Sequence, residues 1–121
     1  MKTLYLAGPM RGKWLYNFSD FMEAANKLRQ AGYRVLNPAE MDHGAGFNEY
    51  YDTPDDEFLR AAVVRDRAAI DRSDGVALLD GWDDSEGARD EVAYAAYRET
   101  RCATVEDWLK SATTEENADG H

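Results

Sequence analysis

Thr3-Leu4-Tyr5-Leu6-Ala7-Gly8-Pro9 decides the fold: a short apolar run that ends abruptly at Gly8-Pro9 reads as a buried strand entering a turn. Working outward, Phe18, Phe21, Met22, Ala25 and Leu28 recur at helical spacing, with Asn17 or Ser19 as N-cap and Gly32 as the stop. This spacing predicts a helix over 18–31. Tyr33-Arg34-Val35-Leu36 then gives a second strand, closed by Asn37-Pro38. Strand, helix and strand in this order make a βαβ unit, whose crossover favours parallel pairing.

Residues 38–52 carry Gly44, Gly46, Asn48 and the pair Tyr50-Tyr51 without a period, which predicts a long loop near the strand ends and a candidate lid. Thr53-Pro54-Asp55-Asp56 reads as a capped helix start with proline in the first turn, the helix running to Arg72. Gly75-Val76-Ala77-Leu78-Leu79 is the clearest buried strand, and the acidic loop Asp80-Gly81-Trp82-Asp83-Asp84 follows it. Ser85 caps a further helix to about Arg98, and a short strand near Cys102-Ala103 leads to a terminal helix, Val105 to Lys110. Strands alternating with helices predict one domain over residues 1–110. Its expected form is a three-layer α/β/α sandwich with a parallel, Rossmann- or flavodoxin-like sheet and ligand loops at the strand carboxyl ends. Residues 111–121 are polar and are expected to form a disordered tail.

A chain of 121 residues and 13.7 kDa buries a core without metal or disulfide staples. No apolar run approaches the roughly 20 residues of a membrane span. The start, Met1 to Gly12, is broken too soon by Gly8 and Pro9 for a secretory signal, so a cytoplasmic protein is expected. Cys102 is the single cysteine, which excludes an internal disulfide, and neither a CxxC pair nor a Cys/His cluster offers a metal site. A net charge of -10 argues against polymeric nucleic acid as partner. It does not argue against a small phosphorylated ligand, because one arginine and a helix N-terminus hold a single phosphate.

Two carboxylates fall where apolar residues belong. Leu59, Ala62, Val63, Asp66, Ala69 and Ile70 lie three or four positions apart, so Asp66 shares the apolar stripe of its helix. Glu91 stands three after Ala88 and four before Ala95, on the stripe that also holds Val92 and Ala96. An ionised carboxylate buried without partners costs several kcal/mol, so each must be paired, neutralised or open to a cleft. The structural alternatives are pairing of Asp66 with Arg65, with Arg67 or with the helix end, and of Glu91 with Arg89 or Arg98.

Gly8-Pro9-Met10-Arg11-Gly12-Lys13 places flexible backbone and two cations directly after the first strand, while Ser85, Gly87 and Ala88 present a hydroxyl and free amides at a helix start. Both segments suit a phosphate, and both are also ordinary turns between strand and helix. Among the aromatics, Trp82 in its strand-end loop favours contact with a flat ligand.

Three ordered segments resemble the nucleoside 2-deoxyribosyltransferase-like superfamily, which includes deoxynucleoside 5′-monophosphate N-glycosidases. They are Tyr5-Leu6-Ala7-Gly8-Pro9-Met10-Arg11-Gly12, then Arg65-Asp66 followed by Ser73-Asp74-Gly75-Val76, then Ser85 with Gly87-Ala88, Glu91 and Ala95. The resemblance covers residues 3–96 and is nearest to small phage and prophage members. It implies that Glu91 attacks C1′ of the deoxyribose and displaces the base, forming a covalent glycosyl-enzyme that passes to water or to another base. It further implies that Asp66 engages the sugar hydroxyl or assists proton transfer to the base, and that Tyr5 positions Glu91. Arg11, Ser85 and the amides of their loops are implied to bind a 5′-phosphate. Pro9 stands where phosphate-selective hydrolases often carry serine, whereas Gly-Pro is the transferase preference.

The expected activity is therefore hydrolysis of the base–sugar bond of a 2′-deoxynucleoside 5′-monophosphate or related nucleotide, with no cofactor and no metal. The alternatives are a nucleoside deoxyribosyltransferase, a noncatalytic nucleotide or nucleotide-sugar binding module, and, resting on acidity alone, a protein-interaction adaptor. The expected partner is a small nucleoside or nucleotide, and the family implies a homodimer or higher homo-oligomer. Asp80 and Trp82 are candidates for base contact.

Overall fold

The computed structural model describes residues 1–119, and the side chains of residues 1–113. Its strands are β1 (Thr3–Ala7), β2 (Arg34–Leu36), β3 (Gly75–Leu78) and β4 (Arg101–Thr104), all parallel in the order β2-β1-β3-β4. Five helices flank them: α1 (Phe18–Gln30), α2 (Pro38–Gly44), α3 (Asp56–Asp71), α4 (Glu86–Tyr97) and α5 (Val105–Asp119). The expected three-layer α/β/α sandwich is the fold.

The alternation of β1 divides the core. Leu4 and Leu6 pack with Phe21, Ala25, Leu28 and Trp108 beneath α1 and α5, while Tyr5 and Ala7 pack with Ala69, Ile70 and Ala95 beneath α3 and α4. These four of the five β1 residues are fully buried, as a parallel strand covered on both faces requires. Each fully buried large aliphatic side chain contributes about 1.5–3 kcal/mol of transfer free energy. Trp108 fastens α5: its indole donates to Val76 O at 2.9 Å, Tyr33 donates to its carbonyl at 2.6 Å, and its ring fills the space that a Cβ at Gly75 would need.

The chain runs from β1 to β2 on one side and returns to β3 on the other, so the carboxyl ends of β1 and β3 border the topological switch point. The loops there touch. A Cβ on Gly8 would stand 2.8 Å from Leu79 Cβ, and one on Gly81 3.5 Å from Pro9.

Several local expectations are corrected. Residues 38–52 do not form one loop: Asn37, only 1% exposed, caps α2 through Ala39 N at 3.0 Å, and Pro38 opens it. Phe47 then stacks on Phe58 and meets Tyr16 edge-on, pinning the remainder to the core. Pro54 precedes the cap residue Asp55 instead of entering the first turn of α3. Asn17 begins α1 without capping it, and its amide donates to Pro9 O at 2.9 Å. Leu15, Tyr16 and Asn17 form a left-handed turn at φ 48°, 56° and 62°. The terminal helix continues past Lys110 to Asp119, through most of the segment expected as a tail, and residues 120–121 lie outside the described residues. Among the described residues, no helix is long and apolar enough to cross a membrane.

Candidate active site

Tyr5 points from β1 into the layer of α3 and α4, because odd positions of the strand face that side. There its hydroxyl donates to Glu91 Oε2 at 2.5 Å. Ser85 accepts from Ala88 N at 3.2 Å and starts α4, and Glu91 follows on the flank that faces the sheet. Asp66 comes from α3, partly buried and close enough for its charge to act on both Tyr5 and Glu91. Three polar side chains from three elements thus converge beneath the switch point.

Their electrostatics follow from burial. Removal from water is the main reason Glu91 sits well above the usual glutamate range; the charge of Asp66 pushes it further, against the Tyr5 hydrogen bond. Desolvation likewise carries Asp66 up to about 6, opposed chiefly by the Arg65 guanidinium. Burial, with two carboxyl groups alongside, also raises Tyr5 well above 10, so the phenol remains a hydrogen-bond donor at neutral pH. The two carboxyl groups interact, so their protons come off as those of a pair and not of either residue alone. Such a pair offers one acid and one base in the same place.

The ion-pair alternatives are not what forms. Arg65 pairs with Asp42, Arg98 with Asp71, and Arg67 lies 5.1 Å over the ring of Tyr94. Asp66 Oδ1 is instead buried with no hydrogen-bond partner. The stripe through Asp66 is buried only at its lower end, Ala69 and Ile70, while Val63 is 50% exposed; on α4, Ala96 faces outward. Helical period locates a face but not how far the neighbouring layer extends along it.

The loop residues divide. Gly8 and Pro9 are buried against the β3 loop, Met10 leans on the α1 side of the core, and Arg11 and Gly12 are exposed. Ser85 uses one lone pair in capping, which leaves its hydroxyl proton for a ligand. Gly87 is open on its Cβ side, and Ala88 is buried at the start of α4. Trp82 packs against the cluster that holds Tyr5. Asp80 turns elsewhere, lining a cleft of about 320 Å³ with Asp20, Lys27 and Glu106 on the α1 and α5 side. A second cleft, about 200 Å³, lies between Phe47, Asp52, Asp55 and Phe58. Neither cleft is lined by Tyr5, Asp66 or Glu91.

Sequence reasoning missed Asp42. It is 8% exposed on α2 and bonded to Arg65, inside the stretch expected to be a loop. The signal was the cap pair Asn37-Pro38, which starts a helix as well as it ends a strand.

Fold and site define a small parallel α/β protein with a phenol and two carboxyl groups gathered at the switch point of its sheet. The chain belongs to the family described as Domain of unknown function (DUF4406), which matches residues 2–104 and so contains all four strands and all three of these side chains. No curated protein matches the chain.

Proposed function

We propose that the protein is a cytoplasmic N-glycosidase of the nucleoside 2-deoxyribosyltransferase-like superfamily, cleaving the base–sugar bond of a 2′-deoxynucleoside 5′-monophosphate or related nucleotide. The observation that carries this reading is the 2.5 Å hydrogen bond from Tyr5 to Glu91, with Asp66 sharing the same burial.

In the reaction, a carboxylate oxygen of Glu91 bonds to C1′ as the C1′–N bond breaks, and the bonding pair leaves with the base. Asp66, in its protonated form, gives its proton to the departing nitrogen while Glu91 attacks as the carboxylate. Tyr5 steadies the Glu91 carboxylate and aims the oxygen that attacks. Water then adds to C1′ of the glycosyl ester, returning Glu91 and restoring the proton. Arg11, the Ser85 hydroxyl and the amides that begin α4 receive the 5′-phosphate, and Trp82 borders the base. The chemistry uses carboxyl groups alone and calls for neither metal nor cofactor.

The protein works as a homo-oligomer in this reading. Val63 and Val64, 50% and 71% exposed, leave apolar surface on α3 beside Asp66, and light scattering of the full chain tests it. The activity is tested by incubating the protein with deoxynucleosides and their 5′-monophosphates, with and without a second base, and following free base by chromatography. Base release without an acceptor supports the glycosidase; base exchange only would make the protein a transferase. Ligand-induced thermal stabilisation without turnover would make it a binding module.

A further inference from the structure

Arg65, the residue before Asp66, donates through Nη2 to Asp42 Oδ1 at 2.5 Å and so ties α3 to α2. The Asp42 carboxyl is raised by its own burial, against the pull of Arg65 and His43. The guanidinium also lies 5.7 Å over Phe58. A simple brace would use the guanidinium fully, in the bidentate geometry that carboxylates accept. Among the described residues, Arg65 Nε is buried without a partner, and Oδ1 of the adjoining Asp66 is buried without one too. Buried unpaired donors and acceptors are uncommon, and each asks for a role beyond packing.

We propose that Asp42 and Arg65 are positioning residues for Asp66: α2 holds the guanidinium at the acid's end of α3, and the balance of these two charges governs the proton on Asp66. The catalytic meaning of this assignment rests on the glycosidase reading, whereas the control of Asp66 itself does not. The groups that face Asp66 are Arg65 on its own helix, Asp42 from α2, Tyr5 from β1 and Glu91 from α4. Arg65 favours the ionised acid and Asp42 disfavours it. Loss of either partner breaks the same ion pair, yet the two losses drive Asp66 in opposite directions. An effect that came only through loss of the brace would move Asp66 the same way in both variants.

The test labels aspartate carboxyl carbons in the full chain and follows Asp66 by NMR from about pH 4 to pH 9, the signal assigned with Asp66→Asn. Arg65→Met is expected to move the Asp66 midpoint up by about one pH unit, and Asp42→Asn to move it down by a smaller step. Midpoints that stay fixed, or that move the same way in both variants, overturn the proposal. Arg65→Met leaves a buried carboxyl unpaired; if it fails to fold, Asp42→Asn is compared with the double variant Asp42→Asn/Arg65→Met. A double variant titrating above Asp42→Asn supports the proposal, and coincident curves overturn it. Opposite shifts in a protein that releases no base would remove the reaction and keep the charge control. Base release with an unmoved Asp66 would do the reverse.

Discussion

The hydroxyl of Tyr5, on β1, donates to Oε2 of Glu91, on α4, across 86 residues of sequence. Strand alternation aims the one, the Ser85 cap phases the other, and the parallel sheet brings them together. A buried phenol that donates a hydrogen bond to a partly buried carboxyl group holds that group in one orientation.

Replacing Glu91 with Gln keeps the side-chain shape and an oxygen to accept from Tyr5, but removes the proposed nucleophile. Free-base release is expected to fall at least about 1000-fold, with the melting temperature kept or raised. Chromatographic assay beside circular dichroism checks this; full activity in the folded variant would end the covalent mechanism.

Tyr5→Phe removes one oxygen from a fully buried position and leaves the ring in place. Glu91 loses the bond that holds its carboxylate down, so its pKa moves further up. In the proposed reaction the rate is expected to drop on the order of 100-fold, because the attacking oxygen of Glu91 is no longer held in position. The acidic limb of the pH–rate profile should shift to higher pH, and an unmoved limb would deny Tyr5 its role.

Asp66→Asn separates function from stability. The folded pKa of Asp66, about 6, lies above the ordinary aspartate value of 3.8, so its contribution to stability is intact below about pH 4 and is lost as pH rises through 6. The asparagine variant is therefore expected to match the wild type near pH 4 and to be the more stable above pH 7. A rise of about two pH units corresponds to at most about 3 kcal/mol. Thermal melts across pH check the sign; a variant less stable at pH 8 than at pH 4, relative to wild type, would contradict it.

Asp66 and Glu91 were legible because each breaks the hydrophobic period of its helix, whereas Tyr5 lies within an apolar run and was singled out only by the family resemblance. Asp42 was not, since α2 spans only seven residues, too few to show a period, and its described buried positions are Pro38, Ala39 and Asp42. Arg65 looked like a partner for its neighbour, whereas the fold sends it to another helix. The left-handed turn at Leu15, Tyr16 and Asn17 opposes local preference and stands because Asn17 bonds Pro9 O and Tyr16 packs on Phe47. Such tertiary override leaves no local trace.

Gly8 joins the fold to the site most directly. Leu79 N donates to Ala7 O at 2.9 Å, drawing the two strand ends together, and an added Cβ at Gly8 would meet Leu79 Cβ at 2.8 Å. That atom is fixed to backbone and cannot rotate away, so Gly8→Ala must push the loop carrying Pro9 and Arg11 off the loop leading to Ser85. Overpacking of this kind costs about 1–3 kcal/mol, which lowers the melting temperature by several degrees. Separation of the two loops proposed to receive the phosphate should raise KM for monophosphates more than for nucleosides. Gly87→Ala is the control: a Cβ there meets nothing within 4 Å, and alanine favours a helix over glycine by about 1 kcal/mol. It is expected to melt at or above the wild-type temperature. Equal melting of Gly8→Ala and wild type would mean that the close approach of these loops is dispensable.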